Sequence, residues 1–192
     1  VKKLELKDLM NLFEYEKERH GLRAETMAMK DRRRLHVSDT LTLLFENRRT
    51  VWYQIQEMMR AERMVEDDVI QEELDTYCPL IPSGDEWKAT LYIEIPDLDV
   101  LKRTLPKLVD IEQSFYARIG DCTIRAVGEE GRSREDYTST VHYLTWTLTS
   151  EFREKLAGGE PLFFGADHEN AKTEAEVPPA LRDELMRDLE NE

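Results

Sequence analysis

The stretch LTLLFENRRTVWYQIQEMMRAERM, residues 41 to 64, constrains this chain more than any other. It opens as an apolar run and turns within a few residues into a helix. Val51, Trp52, Ile55, Met58, Met59 and then Ala61 or Met64 recur at three- and four-residue steps, which places them on one stripe. The other faces of that helix are rich in amides and ion-pairing groups. A short strand that feeds directly into an amphipathic helix calls for two packed layers.

Around this stretch the first third of the chain reads as helical. Leu9, Leu12 and Phe13 mark a helix over residues 6–20, and Gly21 is expected to stop or bend it. A second helix is expected over 22–34, with Arg32, Arg33 and Arg34 at its end, where cations suit the helix dipole. Leu35 to Val37 and Leu41 to Phe45 read as short strands around a Ser38-Asp39 turn. A further helix over 66–77 ends before Pro79.

From Trp87 the period changes to two. Trp87, Ala89, Leu91, Ile93 and Ile95 alternate with polar neighbours, a half-buried strand. A helix over 98–108 follows, interrupted by Pro106. Strands over 113–119 and 122–127 are joined by Gly120-Asp121, and residues 128–136 read as a polar loop. A long strand spans 138–149 and a short helix begins at Ser150. Residues 161–164 read as an edge strand, 170–179 as an acidic linker and 179–189 as a terminal helix.

The expected fold class is therefore α+β. One antiparallel or mixed sheet of about five to six strands carries a helical N-terminal third on or beside it. The expected organisation is one domain over 1–168, mainly helical over 1–80 and sheet over 87–168. An acidic linker and helix over 169–192 complete the chain.

Charge limits the partners. The net charge of −14 hides an asymmetry: residues 1–64 carry a net +3 and the remainder −17. So negative a field repels nucleic acid and anionic membrane, and any anion-binding surface has to come from the N-terminal third. Cys78 and Cys122 stand far apart, outside any C-x-x-C arrangement, and cannot by themselves build an iron-sulfur or zinc framework. No apolar run approaches the ~20 residues of a membrane span, and no signal-peptide pattern is visible. A cytoplasmic protein with free thiols is expected.

Three groups of residues carry candidate chemistry. His142 shares its strand face with Leu144, Trp146 and Leu148, so it needs a hydrogen-bond partner in or beside the core. Asp167-His168 follows a glycine-containing turn. Were His142, Asp167 and His168 to converge with Glu57, a nitrogen and oxygen site for Fe, Mn or Zn would result. The competing reading of His142 is a satisfied structural histidine. On the long helix Glu46, Asn47, Thr50, Gln54 and Glu57 line one face, and Gln56 and Arg60 lie beside it. Asn47, Gln54, Gln56 and Arg60 form a candidate ligand or partner surface, against a competing reading as a solvated face. Arg32, Arg33 and Arg34 are a candidate phosphate or carboxylate site, against a helix end balancing its neighbouring acids. Walker, Rossmann, nucleophile-elbow and zincin signatures are absent.

The blocks LTLLFENRRTVWYQIQEMMRAERM, PLIPSGDEWKATLYIEIPD, TSTVHYL and GADH resemble a prokaryotic family known only as domain of unknown function 3501, over residues 6 to 168. That family usually has proline after its GxDH segment, where this chain has Glu169, and often asparagine where this chain has Cys78. The resemblance implies a bacterial or archaeal cytoplasmic protein, often encoded near rubrerythrin-like and iron-sulfur, heterodisulfide-reductase-like proteins. It therefore points to an accessory or interaction protein of a redox or oxidative-stress system. The alternative is a metal-binding protein or metal-dependent enzyme. The Met-rich helix and the terminal helix leave room for a homodimer.

Overall fold

The computed structural model describes residues 3–129, 131–134 and 136–190. Two antiparallel sheets pack face to face, and a helical layer covers the outer side of one of them. The first sheet has the order β1 (Arg34–His36), β2 (Leu41–Phe45), β3 (Glu86–Ile93), β7 (Val141–Thr147), β6 (Val127–Gly128). The second has the order β5 (Cys122–Arg125), β4 (Phe115–Ile119), β8 (Leu162–His168), β9 (Ala171–Glu176).

The alternation read from the sequence explains the sandwich. Trp87, Ala89, Leu91 and Ile93 point one way from β3, and Leu144 and Trp146 follow suit from β7. Phe115, Ala117, Ile119 and Phe164 face them from the second sheet. Phe164 closes the core, its ring centroid 4.8 Å from Phe45, 5.0 Å from Trp146 and 5.9 Å from Trp87. These tilted and edge-on pairs suit the ring quadrupoles. Helix α5 (Ser150–Ala157), capped by Thr149 rather than Ser150, adds Phe152 against Trp87.

The helical layer is α1 (Leu12–Arg32), α2 (Arg48–Glu62) and α3 (Asp67–Tyr77). It has a core of its own, with Tyr15, Val51, Trp52, Ile55, Met59, Ile70 and Leu74 buried together. Because this layer lies over the first sheet, β2 is buried on both faces: Thr42 and Leu44 are as inaccessible as Leu41 and Leu43.

Several expectations need correction. Gly21 does not break a helix; α1 runs through it for 21 residues. A Cβ at Gly21 would meet nothing within 4 Å, so the glycine faces open space and costs about 1 kcal/mol of propensity, too little to end so long an element. The helix expected over 98–108 stops as α4 (Leu98–Thr104), and Pro106 falls in a following 3-10 turn. The single sheet of five to six strands is two sheets. The expected edge strand at 161–164 is the start of β8, an interior strand. The expected acidic linker holds β9, whose Ala171, Thr173 and Ala175 are half-buried while Lys172, Glu174 and Glu176 are exposed. Charged outward residues are what an edge strand uses to resist further pairing. The polar loop over 128–136 includes Glu130 and Glu135, which lie outside the described residues.

The terminal helix α6 (Pro179–Glu190) packs into the core through Leu181 and Leu185. Trp87 Nε1 donates to the Leu185 carbonyl at 3.1 Å.

A tyrosine-lined cavity as candidate functional site

The outer face of the first sheet carries the residues that β3 and β7 turn away from the sandwich. Thr90 pairs with Tyr143 and Tyr92 with Val141 across these two strands. Over them the end of α1, the first turns of α2 and the end of α3 leave a cavity of about 200 Å³. Its wall comprises Lys30 from α1, Glu46 just before α2, Thr50, Val51 and Gln54 from the first turns of α2, Tyr77 from the end of α3 and Leu80 from the 3-10 turn that follows it. Its floor is Thr90, Tyr92, Val141 and Tyr143.

Glu46 is the buried charge of this site, 7% exposed. It sits between the last residue of β2 and Asn47, the cap of α2, so strand and helix together fix its position. The Thr90 hydroxyl donates to its Oε1 at 2.6 Å and the Thr50 hydroxyl to its Oε2. Burial, reinforced by the Glu46 charge and by Tyr143, pushes the Tyr92 phenol up to about 12. Burial also raises Tyr143, with Arg132 opposing and Tyr77, Glu129 and Glu46 adding to it. Both phenols are therefore neutral donors near pH 7.

Four polar groups lining the cavity make no hydrogen bond or ion pair among the described residues. The Lys30 ammonium lies 5.5 Å from the Tyr53 ring centroid and makes no ion pair among the described residues. The Gln54 amide and the Tyr77 and Tyr92 hydroxyls make no hydrogen bond among the described residues.

The residues singled out from sequence scatter around this site. Gln54 lines it. Asn47 caps α2, its Oδ1 accepting from the Arg49 and Thr50 amides at 3.0 and 2.9 Å. Gln56 points to the other side of α2, fully buried, accepting from Met10 N at 2.7 Å and donating to Met10 O at 3.3 Å. Arg60 forms an exposed bidentate pair with Glu16 at 2.7 and 3.3 Å.

The arginines of the cluster each lie near a carboxylate of the protein itself. Arg33 is fully buried and grips α6 through Glu184 and Asp188, while donating to the Phe45 and Glu46 carbonyls at 2.8 and 3.1 Å. Arg32 shares Glu184 at 3.3 Å, and Arg34 lies 3.9 Å from Glu94.

The four candidate metal ligands do not converge. Glu57 accepts from Tyr15 at 2.7 Å and from two Arg19 nitrogens at 2.8 Å, and the Arg19 hydrogen bonds hold its carboxyl below the usual range against burial. Asp167 pairs with Arg125, and His168 Nε2 lies 3.0 Å from the Val109 carbonyl. His142 is fully buried, its Nε2 at 3.0 Å from Thr138 Oγ1 and 2.9 Å from the Ser139 carbonyl. Its Nδ1 lies 3.4 Å from Glu112 without a hydrogen bond, and that carboxylate accepts from Ser133 at 2.8 Å. Among the described residues no three His, Cys, Asp or Glu side chains are grouped to hold a metal ion.

Sequence reasoning missed Lys30, Tyr77, Tyr92 and Tyr143. The available signal was two tyrosines on the outward, polar phase of strands whose other phase is the core.

The model of the family described as "Protein of unknown function (DUF3501)" matches residues 3–189. The chain belongs to this family. A crystal structure of a novel protein of unknown function from Burkholderia pseudomallei K96243 shares the fold, with a TM-score of 0.92 and 36% identity. The match covers 98% of this chain and 100% of that one. No curated protein matches the chain. The family's α+β fold is thus that of two antiparallel sheets with a helical layer, and no described helix is long and apolar enough to cross a membrane.

Proposed function

We propose that this family member is a small-molecule-binding protein whose site is the cavity between the helical layer and the outer face of the first sheet. One observation carries the reading: Lys30, Gln54, Tyr77 and Tyr92 present unpartnered polar groups to one cavity walled by a buried carboxylate. All four residues are half-buried, so their polar groups are open to water and free to meet a ligand that enters. The lining is mixed, with Val51, Leu80, Val141 and three tyrosines beside Lys30, Glu46, Thr50, Gln54 and Thr90, and a concave site where polar groups converge is the default place to look for a ligand. The resemblance noted from sequence supplies a setting, an accessory role beside rubrerythrin-like or iron-sulfur proteins of a redox system. A metal-dependent role through His142, Asp167, His168 and Glu57 lacks comparable support, since each is committed to other partners.

The test is native mass spectrometry of protein equilibrated with a prokaryotic small-metabolite extract, with Gln54→Trp as the filled-cavity control. A bound mass on the wild type that the variant loses supports the reading. Equal binding by both, or none by either, defeats it. The redox setting is tested separately, by sedimentation of the purified protein with a purified rubrerythrin-like protein; absence of a complex would remove that setting and leave the cavity reading intact.

A further inference from the structure

The charges around the cavity narrow the chemistry of its occupant. Glu46 and Lys30 both line it, yet they form no ion pair with each other or with any other described side chain. A carboxylate offers about four acceptor positions, and Glu46 fills two of them with the neutral hydroxyls of Thr50 and Thr90. Its charge is therefore hydrogen-bonded but not neutralised. Lys30, the cation on this wall, carries three donors and faces Tyr53 only at the distance of a weak cation–π contact.

A simple anion seated on Lys30 would share the cavity with the Glu46 charge. A simple cation seated on Glu46 would share it with Lys30. In a half-buried site, where the effective dielectric is far below that of water, either arrangement leaves one like-charge conflict. A molecule with one charge of each sign meets both. The remaining groups fit the same orientation. Tyr143 lies across the strand pair from Thr90, which holds Glu46, so with Tyr92 it puts aromatic rings on the floor available to an ammonium, while the Gln54 amide and the Tyr77 hydroxyl offer donors to a carboxylate. A volume of about 200 Å³ is that of roughly seven waters, room for an amino acid with water beside it.

Resting on the cavity reading above, we infer that the ligand is a zwitterion of amino-acid size. Its ammonium lies toward Glu46 and the tyrosine faces, and its carboxylate toward Lys30 and Gln54. No covalent step is involved; the site recognises and holds.

Isothermal titration of the full chain with L-serine, L-valine, L-glutamate, L-lysine and glycine betaine tests the class. Ethanolamine and N-acetyl-L-serine, each lacking one of serine's charges, are the matched controls. At least one zwitterion is expected to bind at least tenfold more tightly than its matched single-charge analogues. Lys30→Met should abolish the advantage over the amine, and Glu46→Gln the advantage over the N-acyl acid. Lys30 is part-exposed and ion-pair-free, so the first variant tests the idea even if the second fails to fold. Equal binding of zwitterion and single-charge analogue overturns the inference. So does a cavity that takes up a mass from metabolite extract but none of the five zwitterions, which would leave the cavity reading standing. If extract, zwitterions and analogues all fail to bind, both readings fall together.

Discussion

Replacing Arg33 by methionine should come close to unfolding the protein. The guanidinium is fully buried at the point where α1, the end of β2 and α6 meet. It satisfies the Phe45 and Glu46 carbonyls and neutralises Glu184 and Asp188, whose side chains are only 12% and 11% exposed. Methionine preserves much of the length but none of the donors. It leaves two buried carbonyls unpaired, takes from Asp188 its ion pair with Arg33, and leaves Glu184 only the more exposed Arg32 and Arg187. Breaking a buried pair in this way costs about 3–5 kcal/mol, a large part of the about 5–15 kcal/mol that holds a domain together. At about 2–4 °C per kcal/mol for a chain of this size, the melting temperature should fall by about 6–20 °C.

Urea unfolding followed by tryptophan fluorescence is the direct assay, because Trp87 lies beneath α6 and donates to Leu185. Arg32→Ala is the control: Arg32 also contacts Glu184 but is 51% exposed, and such half-solvated pairs are worth less than about 1 kcal/mol. Should Arg33→Met cost no more than Arg32→Ala, the view of Arg33 as the clasp of the C-terminal helix is wrong. Removing the two acids as well, with Glu184→Leu and Asp188→Leu, should recover much of the loss, since the penalty comes from stranded charge rather than from missing attraction.

Three further predictions follow from the packing. Burial pushes the His142 imidazole below its ordinary value near 6.5, against the pull of Glu112 and with Arg132 adding to the effect. The folded state then binds fewer protons than the unfolded chain just below that value, so stability present above pH 6.5 is lost as pH falls toward the folded pKa, by at most about 1.4 kcal/mol per pH unit. Melting curves from pH 7.5 to 5.5 should show this slope and His142→Gln should flatten it; parallel slopes would clear His142 of the effect. Gly165→Ala would place a Cβ 2.6 Å from both the Thr173 carbonyl and the Tyr116 hydroxyl, so β9 or Tyr116 must shift at a cost of about 1–3 kcal/mol, visible as a lowered urea midpoint. Gln56→Ala leaves the Met10 amide and carbonyl unpaired, for about 1–3 kcal/mol, and should expose the segment before α1 to protease well below global unfolding; unchanged cleavage there would mean that Gln56 does not hold it.

The sequence by itself determined what short-range periodicity can encode. The two-residue alternation of 87–95 and 141–147 placed Trp87, Leu91, Leu144 and Trp146 on the core face, and put His142 among them. The three- and four-residue steps after Asn47 gave α2 and its buried stripe, and four blocks together carried the resemblance to the family. The face shared by Glu46, Thr50 and Gln54 was equally legible, and all three line the cavity.

What those faces meet was decided only by tertiary structure. Arg32, Arg33 and Arg34 look alike in sequence, yet α6 returns from more than 150 residues away to bury the middle one. Strand β9 reads as a linker because an edge strand with one polar face has little apolar signal of its own; pairing with β8 makes it a strand. The four candidate metal ligands lie apart for the same reason: adjacency and alternation say which way a side chain points, not which distant carboxylate or arginine reaches it first. Lys30, Tyr77, Tyr92 and Tyr143 come from α1, α3, β3 and β7, and only the packing of the helical layer on the outer sheet face makes them one site.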